Sequence, residues 1–244
     1  QTEVRPKPLV EVGGRPLLWH IMKHYWRYGC GEFVLALGYK GREIKRSFLD
    51  YRSLGSNLTI SLQDGQVEAH DDNYVEPWRI HLIDTGQETL TGGRLRQVTP
   101  YVGDGPFMLT YGDGVIDLDI NKLLEFHQSQ GKIGLVTGVC PPSRYGELGI
   151  TGEQVVSFKE KPIAPESFIN GGYFVFNKKF FQYLSDDDSC VLEREPLERL
   201  TENGQLSVYT HSGFWQCMDT YRDYTFLNEL WTQGNAAWQV WNHR

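Results

Sequence analysis

Phe107-Met108-Leu109-Thr110-Tyr111-Gly112-Asp113-Gly114-Val115 runs from an apolar stretch straight into a carboxylate set between two glycines. The Phe107–Leu109 run reads as a buried strand. The glycines that follow permit close backbone approach and unusual φ angles. Asp-Gly is common in plain turns. An acid beyond the carboxyl end of a strand is also where ligands sit in parallel α/β sheets. The surrounding chain decides between these readings.

Upstream, short apolar segments alternate with amphipathic ones. Pro16 suits a first helical turn, and Leu17, Leu18, Ile21, Met22 and Tyr25 form one stripe that Gly29 ends. Phe33–Leu37 reads as a fully buried strand of the parallel-sheet kind. Gly38 and Gly41 bracket a turn into a second stripe, Ile44, Phe48 and Tyr51. Leu58–Leu62 is a strand, 65–76 a polar excursion or hairpin, and Trp78–Asp84 a half-exposed strand. Gly92 and Gly93 open a short helix. Asp119 caps a helix carrying Ile120, Leu123, Leu124 and His127, and Ile133–Val139 is again a strand.

Downstream, Val155–Lys159, Tyr173–Phe176 and Leu206–Thr210 read as strands, and Phe180–Leu184 and Leu192–Leu200 as helices. Thr220-Tyr221-Arg222-Asp223 matches a capping box ahead of a helix carrying Tyr224, Leu227, Leu230 and Trp231. Strand–helix alternation predicts an α/β fold: a Rossmann-like, mostly parallel mixed sheet flanked by helices, with a small β-rich excursion and a C-terminal helical segment. No repeat or linker divides the chain, so 1–244 reads as one domain.

The chain has 244 residues, 40% of them hydrophobic, and a formal net charge of −7. That is enough apolar material for a core. No uncharged run approaches the ~18–20 residues of a membrane span. An acidic chain without a basic stripe argues against nucleic-acid binding. Positive charge gathers locally at Arg5, Lys7 and Arg15. Cys30, Cys140, Cys190 and Cys217 contain no CxxC spacing, which argues against zinc and for a reduced, cytoplasmic protein. The seven histidines lack metal-ligand spacing and read as packing or surface residues, and Trp231, Trp238 and Trp241 as core or subunit contacts.

Two acids far apart in sequence stand at turn or helix-start positions, Asp113 and Asp219 of Met218-Asp219-Thr220. A hard cation such as Mg²⁺ takes one or two carboxylates and fills its other positions with phosphate and water. Lys7, in Arg5-Pro6-Lys7-Pro8, precedes a proline that favours extended backbone, and Lys161 lies in Glu160-Lys161-Pro162. Acid for metal and lysine for phosphate point to phosphate-ester chemistry. The competing reading of each is a surface charge, a turn aspartate or a favourable charge at a helix N-terminus. Asn170-Gly171-Gly172 reads as a hydroxyl-binding loop or a turn, and Arg94 as a phosphate contact at a helix N-terminus or a solvated side chain.

The motifs RPKPLVEVGGRPLLWHIM, TGGRL, YGDG, RYGELG, FKEKP, INGGYFVF and FWQCMDT occur in one order. That order resembles the sugar-phosphate nucleotidyltransferases, from the first residue to about Trp241. VEPWRIHLIDTG and GFWQCMDTYRDYTFLNELW resemble the branch that acts on CTP and glucose 1-phosphate. The resemblance implies a fold of the nucleotide-diphospho-sugar transferase type, Mg²⁺ as cofactor and a homo-oligomer. It assigns Asp113 and Asp219 to the metal and Lys7 to the triphosphate. It puts Lys161 on the sugar phosphate and Glu160, Gly146, Asn170 and Gly171 on the sugar. Gly93 and Arg94 fall where base and phosphates are gripped. Uridylyl or thymidylyl transfer, or a non-catalytic nucleotide-sugar-binding paralogue, are the alternatives. The family opens with a strand and a GGxGTRL loop, and the resemblance implies both upstream of Gln1.

Overall fold

The computed structural model describes residues 5–70, 75–141, 147–159 and 168–242. A four-stranded sheet lies at its centre, in the order Leu206–His211, Gly134–Val139, Ile169–Phe176, Phe107–Thr110. The first pair is parallel and the next two are antiparallel. Glu32–Leu37 and Arg79–Asp84 form a further parallel pair. The α/β fold and the mixed sheet are as expected. Antiparallel pairing is commoner than strand–helix alternation predicts, because Ile169–Phe176 enters between two strands running the other way.

Several elements fall where the residue pattern puts them. Helix Leu17–Arg27 starts after Pro16 and buries Leu17, Leu18, Ile21, Met22 and Tyr25. Helix Thr91–Gln97 follows the glycine signal. Asp119 accepts from the Lys122 amide at 3.1 Å and caps helix Ile120–Gln130. The excursion is a hairpin, Leu58–Ile60 with Val67–Ala69.

Other expectations are corrected. Glu32–Leu37 is only partly buried, since among the described residues Arg79–Asp84 is its one sheet neighbour. Phe107–Thr110 is half-buried throughout, as an outer strand of its sheet. Residues 178–183 make a 3₁₀ helix, and the helix expected from Leu192 begins at Glu195, where Pro196 suits its first turn.

Among the described residues, early and late segments of the chain pack together. Glu11–Val12 and Arg15–Pro16 form a small hairpin through Gly13 and Gly14. Gly13 has φ +58°, and a side chain there would collide with the Trp231 indole. Its amide donates to Asn228 Oδ1 at 3.0 Å, so helix Tyr221–Thr232 grips the hairpin. Trp238, 1% exposed, completes this core. Its indole donates to His20 Nδ1, so His20 Nε2 carries the proton and donates to the Val12 carbonyl at 2.8 Å.

Burial lowers both His20 and His24 to about 4. Each binds its proton less readily when folded than in the unfolded chain, where the value is about 6.5. Stability from these residues is therefore complete above about pH 6.5 and is lost as pH falls towards 4, by several kcal/mol in order of magnitude for the pair. The urea midpoint is expected to drop between pH 7 and pH 5, and a flat profile would contradict the buried neutral state. His20→Asn should flatten part of the slope.

Candidate active site

The Gly112-Asp113-Gly114 turn is built by packing rather than by unusual dihedral angles. Neither glycine has positive φ. A side chain at Gly112 would stand 3.3 Å from Pro8 Cγ, so glycine here lets the Lys7 segment lie against the turn. Gly114–Ile116 pairs antiparallel with Trp215–Cys217, placing Cys217 opposite Gly114. The Met218 amide donates to the Asp113 carbonyl at 2.7 Å. These contacts bring Asp113 and Asp219 together from opposite halves of the chain.

Asp219 is set by the helix start that follows it. Thr220 and Asp223 form the full capping box expected. Asp223 also accepts from the Asp219 amide at 3.1 Å and from Gln216 Nε2 at 3.1 Å. Asp223 thus holds the Asp219 backbone and the Gln216 side chain, on either side of Cys217-Met218.

Lys7 Nζ lies 2.8 Å from Asp219 Oδ1. Its backbone is not extended as Pro8 suggests. Lys7–Leu9 is a 3₁₀ turn closed by bonds from the Leu9 amide to Pro6 O and the Val10 amide to Lys7 O, and the extended residue is Pro6. The proline pair still stiffens the segment. A half-exposed ion pair is worth ~0–1 kcal/mol of stability, so this lysine has little structural task.

Carboxylate oxygens of Asp113 and Asp219 and the sulfur of Cys217 all lie within 4.8 Å of one another. Oxygen donors on two acids suit a hard divalent cation, with remaining positions open to phosphate or water. The donor set fits the cation the carboxylates imply. The electrostatics agree. Burial pushes the Asp113 carboxyl up, the Asp219 charge adds to this, and Lys7 opposes it. The hydrogen bond to Asp219, and then the charges of both acids, hold the Lys7 ammonium above its ordinary value. Cys217 is pushed up to about 12 by burial and by the two acids, so it is a thiol at neutral pH when no cation is present.

A polar group borders this cluster. Tyr111 Oη donates to Glu193, and Asn170 Nδ2 donates to Tyr111 Oη at 3.2 Å. Burial, then Glu193, raises the phenol, which keeps its proton. The other Glu193 oxygen accepts from Thr91 Oγ1 at 2.7 Å. Asn170 Oδ1 accepts from the Gly172 amide at 2.8 Å, and the Trp215 indole donates to the Gly171 carbonyl at 2.8 Å. Gly172, at φ +76°, lies where a side chain would strike the Tyr111 ring.

Asn170 and Gly171 are therefore brought beside Tyr111, next to Asp113. Gly93 and Arg94 make a separate group. The Gly92 and Gly93 amides donate to Cys190 O at the start of helix Thr91–Gln97. Arg94 is engaged within the protein, by Thr85 Oγ1 at 2.7 Å, Gly86 O at 2.9 Å and Gln87 O at 3.2 Å. It shapes the loop next to Gly38 rather than reaching into open solvent. Gly146, Glu160 and Lys161 lie outside the described residues.

Residue reading alone missed Cys217, Tyr111, Glu193 and Asp223 as site residues. Tyr111 and Cys217 were legible as neighbours of the two acids. Nothing near Glu193 in sequence marks it, since its partners are Thr91 and Tyr111.

Residues 2–233 match the family model described as nucleotidyl transferase. The glucose-1-phosphate cytidylyltransferase of Salmonella typhimurium (strain LT2) is 46% identical over 242 residues, covering 99% of this chain and 93% of that one. A Bacillus subtilis (strain 168) protein named "Probable glucose-1-phosphate cytidylyltransferase" is 43% identical over 236 residues, covering 97% and 92%. Among solved structures, HddC from Yersinia pseudotuberculosis superposes with a TM-score of 0.67 at 24% identity, covering 93% and 90%, and shares the fold.

Proposed function

The chain belongs to the nucleotidyl transferase family, and from that premise we propose that it transfers a cytidylyl group from CTP to α-D-glucose 1-phosphate, giving CDP-glucose and pyrophosphate. The observation that carries this is the meeting of Lys7, Asp113 and Asp219, with Lys7 Nζ 2.8 Å from Asp219 Oδ1. Two highly anionic substrates must approach one another, and the site gathers cationic and cation-binding groups at one point. Positioning and charge neutralisation are the main sources of rate in phosphoryl-type transfer.

Asp113 and Asp219 would hold Mg²⁺, which when bound neutralises phosphate charge and orients the oxygens around the reacting phosphorus. Lys7 moves its ammonium from Asp219 to the triphosphate when the nucleotide enters. Asn170 and the Gly171 backbone present hydrogen-bonding groups to the sugar, with Tyr111 behind them. Glu160 and Gly146 are assigned to sugar hydroxyls by family likeness. No side chain is needed as a covalent nucleophile, because the phosphate of glucose 1-phosphate is ionised at neutral pH.

The direct test is pyrophosphate release from CTP and glucose 1-phosphate by the full protein with Mg²⁺. Turnover preferring CTP supports the proposal. Higher kcat/KM with UTP or dTTP would replace it with uridylyl or thymidylyl transfer, and tight CDP-glucose binding without turnover would leave a binding protein. Lys161→Ala is expected to raise the KM for glucose 1-phosphate by about tenfold or more, the loss of one charge-assisted contact. A change confined to the CTP constant would reassign Lys161 to the nucleotide.

A further inference from the structure

Cys217 stands where the acids of the site converge. Its sulfur and one oxygen each of Asp113 and Asp219 lie within 4.8 Å of one another. It is not a loose surface thiol. Cys217 pairs with Gly114 across the strand ladder, and the Gln216 side chain donates to its carbonyl at 2.8 Å. The next residue is tied to Asp113 O. The sulfur is therefore held beside the cation position by the same contacts that place the acids.

A site for a hard cation needs only oxygens. Adding a thiol changes which metals it prefers. Sulfur, imidazole and carboxylate together suit zinc and its neighbours, and the Irving–Williams order favours those ions over lighter divalent cations. Two carboxylates and one sulfur supply three protein ligands and leave a fourth position open.

We propose that Cys217 makes this site a receptor for thiophilic divalent cations of the zinc, cobalt and cadmium class, bound through Cys217 Sγ and one oxygen each of Asp113 and Asp219. On binding, the thiol gives up its proton to solvent and the sulfur becomes a thiolate ligand. Such an ion occupies the place of the hard cation and displaces Lys7 from Asp219, so it competes with the metal that supports turnover. The inference rests on the reading that Asp113 and Asp219 hold the catalytic cation.

The test uses Cd²⁺ alone, titrated into the metal-free protein and followed by sulfur-to-cadmium charge-transfer absorption. Wild type is expected to develop the band at one equivalent, and the Cys30→Ser, Cys140→Ser and Cys190→Ser variants to keep it. Cys217→Ser should lose the band and bind Cd²⁺ at least about tenfold more weakly; Cys217→Ala repeats the test. Asp113→Asn should also weaken Cd²⁺. A band that survives both Cys217 variants, or never forms, overturns the proposal, as does Cd²⁺ affinity unchanged by Asp113→Asn. Mn²⁺ binding, followed by electron paramagnetic resonance, keeps the two readings apart. Mn²⁺ lost in Asp113→Asn and Asp219→Asn but retained in Cys217→Ser upholds the carboxylate site whatever Cd²⁺ does. Mn²⁺ unaffected by either aspartate variant removes that site, and the proposal with it.

Discussion

Asp113→Asn is expected to lower kcat at least about a hundredfold while leaving the protein as stable as the parent, or more so. The activity loss follows from removing one of two acids that meet from opposite halves of the chain. The stability expectation has a separate cause. Burial raises the Asp113 carboxyl above its unfolded value. The folded state then holds this proton more readily than the unfolded chain. The ionised group works against folding at neutral pH, and the penalty fades as pH falls through the folded value. Asparagine carries no such penalty. Urea unfolding at pH 7 in the presence of a chelator, beside steady-state kinetics with Mg²⁺, checks both halves. A midpoint that falls along with kcat would make Asp113 a structural residue.

Lys7→Ala should be nearly as damaging to catalysis and nearly silent in stability. Its partner distance, 2.8 Å to Asp219, belongs to a half-exposed pair. Such pairs contribute ~0–1 kcal/mol to folding. A positioned cation facing charge that develops during transfer is worth roughly 10²–10³ in kcat. The expected result is a loss of that order in kcat/KM for CTP with an unfolding midpoint close to the parent's. Lys7→Arg should recover little, because a planar guanidinium does not place its charge as a compact ammonium does. Unchanged turnover in Lys7→Ala would leave the contact as an ordinary surface ion pair.

Local patterns carried much of the fold. The stripe of helix Leu17–Arg27, the Asp119 cap and the Thr220–Asp223 box each depend on residues a few positions apart, and each stands as expected. The strand directions did not, because the placement of Ile169–Phe176 between Gly134–Val139 and Phe107–Thr110 is a non-local choice. The same division holds for the site. Asp113 and Asp219 were visible as acids at turn and helix starts, yet only folding shows that Lys7 and Cys217 share their corner. Arg94 reads either as a phosphate contact near a helix N-terminus or as a solvated side chain. Three hydrogen-bond acceptors at Thr85, Gly86 and Gln87 hold its guanidinium, and no local pattern encodes that loop.

The Lys7–Asp219 contact spans 212 positions, and Asn228 and Trp231 grip the hairpin just after Lys7. Synthesis proceeds at ~5–20 residues per second, so the lysine leaves the ribosome many seconds before its acidic partner exists. The acid pair of the site is thus complete only once residue 219 has been made. A product that stops before Met218 keeps Lys7 and Asp113 but lacks the Asp219 that meets them.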